Sequence, residues 1–155
     1  MEGLMKLAEA LILRADYQKK IYELKTRIEN SVKIQEGEEA QENPQALLKE
    51  LADVLNQQEH IVKRINRTNV SVIVAKEESL ADLIISRDLM KKKRNILSAI
   101  MQEAVIKQDR YSRTEVKFVN TIKISDLQKE IDGVSKLYRE LDVKIQEKNW
   151  TVELL

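Results

Sequence analysis

"NPQALLKELADVLNQQEHIVKRI", Asn43 to Ile65, decides how this chain folds. Leu48, Leu51, Leu55, Gln58, Val62 and Ile65 recur at alternating spacings of three and four, the seam of a left-handed coiled coil. Asn43 carries a side-chain oxygen suited to the unpaired N–H groups of a helix start, and Pro44, which has no N–H, suits the first helical position. Gln58 sets one polar layer into the seam. Helices of this kind draw their stability from packing, so the stripe must meet another.

Working outward, "QEGEEAQENP" (Gln35 to Pro44) breaks the helical pattern with Gly37 and a run of acids. Before it, Leu4, Leu7, Leu11, Ile21, Leu24, Ile28 and Val32 share one stripe, with polar Arg14 and Gln18 at its middle, and predict a helix over about 4–33. After the seam, Ser79 opens a third helix over about 79–107. Its apolar face is wide (Leu80, Leu83, Ile84, Met90, Leu97, Ile100, Met101 and Ala104), and Arg87 and Arg94 lie on the same side. Ser125 caps a fourth over about 125–149, where Leu127, Ile131, Val134, Tyr138, Leu141 and Ile145 hold a heptad. With the central helix at 44–66, the expectation is an all-α protein: an elongated antiparallel helical bundle or coiled coil of about four helices, in a single domain over 1–155.

Two stretches depart from the helical period. From Val116 to Ile124, the even positions Val116, Phe118, Asn120, Ile122 and Ile124 alternate with Lys117, Val119, Thr121 and Lys123, which reads as a half-buried strand. "NVSVIV", Asn69 to Val74, is rich in β-branched residues and is a second candidate. A lone strand leaves its backbone groups unpaired. The two segments, 69–74 and 116–124, are therefore expected to pair, within one chain or between copies.

The totals exclude several classes. There is no Cys and a single His, His60, so neither a thiolate metal site nor a cluster of imidazoles is available. Net charge is +1, with 27 basic against 26 acidic side chains, which gives no bulk field for nucleic acid or an anionic membrane. No apolar run is long enough to span a bilayer, and the N-terminal apolar stretch, broken by Lys6 and Glu9, does not read as an export signal. A cytoplasmic protein is expected, and the sequons at Asn66, Asn69 and Asn149 are then chance matches.

At "MKLAEALILRADYQKKI", "KIQEGEEAQENP", "INRTN", "QDRYSRTEVKFV" and "ELDVKIQEKNWTVEL" the chain resembles the septicolysin-like family of short bacterial proteins, over nearly its whole length and in the same order. The resemblance implies a bacterial source, a helical coiled-coil architecture and no known function. Members carry a glycine-containing turn before the third helix. Here the sequence is "VAKEESLADL", which speaks against a tight hairpin at that point. The cytolysin in the label finds no support in the residues, since a membrane strand needs about 9–11 residues with an apolar lipid-facing row.

The densest polar constellation joins Asn66, Arg67, Thr68 and Asn69 with Asp109, Arg110, Tyr111, Ser112 and Arg113. Forked arginine donors beside amide and hydroxyl groups suit a phosphate or carboxylate, should the two connectors meet. The simpler reading has Asn and Thr ending a helix and the arginines pairing with nearby acids. Lys91 to Arg94 point almost all round a helix and do not make one basic face. The acidic run at 35–42 lacks calcium-loop spacing. Trp150 is expected to anchor the C-terminal tail on the bundle. No catalytic residue set, cofactor or metal site is read here. The expectation is a non-enzymatic structural or interaction protein that self-associates as a homo-oligomer, with a protein partner possible and neither membrane nor nucleic acid expected. The alternative is a small anion- or phosphate-binding module at the Arg67, Arg110 and Arg113 patch.

Overall fold

The computed structural model describes residues 3–109 and 118–155. It contains four helices, α1 (Leu7–Ser31), α2 (Pro44–Ser71), α3 (Leu80–Asp109) and α4 (Ile124–Thr151), and a two-stranded sheet of β1 (Ile73–Ala75) and β2 (Glu78–Ser79). The protein is all-α, with this small hairpin between α2 and α3. The chain forms two compact units: Met1–Ile73 with Lys148–Leu155, and Val74–Glu147.

In the first unit, α1 and α2 run antiparallel, tied by Lys20 to Glu50 at 3.3 Å and by Arg27 Nε donating to Glu42 at 3.1 Å. Gly37, at φ 90°, takes a backbone conformation in the intervening turn that L side chains rarely adopt. Asn43 Oδ1 accepts from the N–H groups of Gln45 (3.0 Å) and Ala46 (3.5 Å), as its position before Pro44 predicts. Leu24, Ile28, Leu47 and Val54 form the core, with Tyr17, Ile21 and Leu51 packed against it.

That core corrects the expected seam of α2. Leu47, Val54, Ile61 and Ile65 are buried, whereas Leu48 and Leu55 stay 44% and 45% exposed. Two apolar rows, 47/54/61 and 48/55/62, flank the shared positions Leu51, Gln58 and Ile65. Both fit a heptad, so period alone does not say which flank meets α1. The polar layer is where the sequence sets it: Gln58 Nε2 donates to Gln18 Oε1 at 3.0 Å, joining the polar centres of the two helices.

The strand expectations are corrected in register and partner. Asn69 to Ser71 continue α2, and the strand lies at Ile73–Ala75, paired with Glu78–Ser79. Of 116–124, residues 118–123 are irregular and Ile124 already begins α4, while 116 and 117 fall outside the described residues. The carbonyl of Lys123 accepts from the N–H groups of Asp126 and Leu127, both at 3.1 Å. Helix initiation therefore takes the end of the alternating stretch. The tight hairpin forms without glycine: Lys76, at φ 52°, supplies the left-handed turn residue.

In the second unit, Ser79 and Asp82 close a reciprocal cap on α3, with Ser79 N–H donating to Asp82 Oδ2 (2.9 Å) and Asp82 N–H to Ser79 Oγ (3.1 Å). These bonds hold the Asp82 carboxyl below its ordinary range, the backbone N–H of Ser79 first and its hydroxyl second. Leu127, Ile131, Val134 and Ile145 of the α4 heptad are buried, as are Leu80 and Leu83 of α3. Arg87 reaches Asp142 at 2.9 Å and Lys93 reaches Glu130 at 3.5 Å, which makes α3 and α4 antiparallel.

Candidate interaction surfaces

Of the expected polar patch, the structure describes Asn66 to Asn69 and Asp109. Asn66, Arg67, Thr68 and Asn69 all lie in the last turns of α2, not on a connector, and Asp109 is the final residue of α3. Arg110, Tyr111, Ser112 and Arg113 lie outside the described residues. Asn66 and Arg67 are exposed and Asn69 half-buried. Thr68 is fully buried and already engaged: its hydroxyl donates to the carbonyl of Arg64 (2.8 Å) and accepts from Leu155 N–H (3.0 Å).

Thr68 thereby belongs to a clasp on the C-terminal tail that the sequence does not announce. Residues 6 and 153 form an antiparallel bridge, with Leu7 N–H donating to the Val152 carbonyl (2.9 Å) and Leu154 N–H to that of Met5 (2.8 Å). Arg64 Nε donates to the Leu155 main-chain oxygen at 2.9 Å, and Lys6 lies 3.7 Å from Glu153. The expected anchor, Trp150, is 59% exposed; the tail is fixed by Leu154, which is 5% exposed. A short extended segment satisfies its backbone against residues 5–7 and inserts the one aliphatic side chain that points inward. The bulky indole, still helical at 150, has no such direction.

The remaining sequence candidates are surface features. His60 is exposed. Lys91, Lys92 and Lys93 are exposed too, but Arg94 turns inward, its guanidinium 5.0 Å from the centroid of the Tyr138 ring, so the basic run is not one face. In the acidic turn, Glu42 is held below its ordinary range by its hydrogen bonds to Arg27. Among the described residues no group of His, Cys, Asp and Glu could hold a metal ion, and no helix is long and apolar enough to cross a membrane.

The feature that does stand out is apolar. On α3, Ile85, Leu89, Ile96 and Ile100 are 58%, 59%, 51% and 40% exposed. They recur along the helix at spacings of four, seven and four, one stripe interrupted at its centre by Lys92 and Lys93. On α4, Leu137 is 48% exposed. The width of the α3 apolar face is visible in the sequence. That this second stripe stays open while the first turns inward is a property of the fold.

Comparison with known proteins gives a family and a fold. Residues 14–154 match the Family of unknown function (DUF6847). A solved structure, "Crystal structure of a functionally unknown conserved protein from Corynebacterium diphtheriae", is 39% identical, with a TM-score of 0.94 over 99% of this chain and 100% of that one. No curated protein matches. These matches carry the coarser part of the resemblance, a family of unknown function with this fold, and nothing in them supports the septicolysin-like label.

Proposed function

The chain belongs to this family of unknown function, DUF6847, and from that premise we propose that it is a non-enzymatic helical protein of the cytoplasm that works by self-association. The observation that carries the reading is the open stripe of Ile85, Leu89, Ile96 and Ile100 on α3. Scattered exposed aliphatic residues are ordinary, but an aligned row along one helix marks a surface that another helix covers. Charged side chains within it and beside it, Lys93 and Glu130 among them, keep such a surface soluble until it is covered.

Self-association predicts an oligomer in light scattering coupled to size-exclusion chromatography, and a mass that falls toward the monomer on dilution. Ile96→Glu, at an exposed position of the stripe, is expected to shift the population to monomer without loss of helix content by circular dichroism. A chain that stays monomeric at all concentrations removes the proposal.

A further inference from the structure

The C-terminal tail stands in for a missing helix cap. α1 begins at Leu7, and the position before it, where Ser, Thr, Asp or Asn commonly supplies a side-chain oxygen, is held by Lys6, which has none. The Leu7 N–H is one of the groups that a helix start leaves without an intrahelical partner, and it donates to the Val152 carbonyl at 2.9 Å. By Val152 the chain has left α4, which ends at Thr151. Three main-chain N–H groups thus mark one contact: Leu7 on Val152, Leu154 on Met5, and Leu155 on the Thr68 hydroxyl oxygen.

The contact is thin. Of residues 152–155, Leu154 alone is buried, and Leu155 is 55% exposed. The Lys6–Glu153 pair, at 3.7 Å with both side chains in water, adds little. Ordering four residues costs conformational entropy comparable to what one buried leucine and a few hydrogen bonds return. The contact also lies away from the packed core of the first unit. Leu24, Ile28, Leu47 and Val54 fill the turn end of the α1/α2 hairpin, the tail closes its open end, and the Gln18–Gln58 layer falls between. No α1 residue from Leu11 to Glu23 is buried, so little apolar packing along α1 ties the two ends together.

We propose that residues 152–155 are a releasable strap, a local unit that opens while the α1/α2 core stays folded and takes the cap of α1 with it. Segments held by few buried contacts open at free energies far below that of global unfolding. Opening turns two groups at the end of α2 out to solvent, the Arg64 Nε donor and the Thr68 hydroxyl oxygen, both of which Leu155 occupies when the strap is closed. The end of α2 therefore has two states, whether or not the chain self-associates.

Native-state hydrogen exchange on the full chain reads strap and core together. The Leu7, Leu154 and Leu155 amides are expected to share one protection factor, about 100-fold or more below those of Leu24, Ile28 and Val54. Their exchange is expected to respond weakly to denaturant, because opening four residues exposes little surface. Leu154→Asp is expected to lower the three strap protections about tenfold or more further, with the core amides within about threefold of their original values. Thr68→Val keeps the side-chain shape and removes one acceptor, and is expected to lower all three by about threefold or more. Equal protection of strap and core overturns the proposal, since the tail then opens only with the whole unit. A Leu154→Asp chain whose core loses protection as steeply as its strap overturns it too. So does a Thr68→Val chain in which Leu155 alone changes, because the three bonds then do not open as one.

Discussion

The two helix pairs answer the same problem differently. The Cα atoms of α1 and α2 come within 8 Å of one another along much of their length. Leu24, Ile28, Leu47 and Val54 fill the first seam, and its polar layer is a pair of matched amides, Gln18 and Gln58. In the second pair, long side chains also link the helices: Arg87 to Asp142 and Arg94 over Tyr138. Aliphatic knobs let two helices approach and exclude water. Guanidinium groups need partners for every donor. Both pairs bury one apolar stripe and leave part of another in water, Leu48 and Leu55 on α2 and the longer row of Ile85, Leu89, Ile96 and Ile100 on α3. The longer row is why an interaction surface is assigned to α3.

The contrast can be broken most directly at Leu24, which is 1% exposed. Leu24→Ala is expected to cost about 2–5 kcal/mol in chemical denaturation, because the seam around it is dense. A loss below about 1 kcal/mol would mean that the first seam is loosely packed around Leu24. At the second seam, the Arg87 and Asp142 side chains are 20% and 35% exposed, so their pair is partly screened. Asp142→Ala is expected to cost about 1–2 kcal/mol by leaving the guanidinium short of an acceptor, and Arg87→Met to cost less. If Arg87→Met proves the worse of the two, the arginine contributes more than its pairing with Asp142.

Smaller effects sharpen the picture at the helix and hairpin ends. Lys76→Gly relieves a side chain from left-handed backbone and is expected to stabilise by up to about 1 kcal/mol in thermal unfolding. The Asp82 cap is a pH-dependent feature of the second unit alone. Its folded carboxyl titrates below the ordinary range, so its stabilisation is present at neutral pH and is lost as pH falls from the ordinary carboxylate range through the folded value. Asp82→Asn is expected to flatten this acid dependence without touching that from Glu42, which Arg27 lowers separately in the first unit. An unchanged profile in Asp82→Asn melts would place the acid sensitivity elsewhere.

Much of the fold was legible because it is local. Heptad spacing, the Asn43–Pro44 start, Ser79 and the few glycines place the starts of all four helices close to those observed. The buried α4 heptad and the Gln18–Gln58 layer were legible too, since one periodicity dominates there. The helical state of Asn66 to Asn69 was not: they look like a loop by composition, yet α2 runs through them, because Thr68 finds partners in its own helix and in a tail 87 residues away. The clasp of Leu154 and Leu155 involves segments of a few residues, too short to leave a period.

By itself the sequence determined which segments are helical and that each carries an apolar stripe, since caps and side-chain spacing act within a few residues. Only the tertiary structure decided which of the two rows on α2 is buried, which partner β1 takes, and which stripe of α3 remains open. Those choices depend on residues far apart in the chain competing for the same apolar surface, and no local pattern encodes the outcome of that competition.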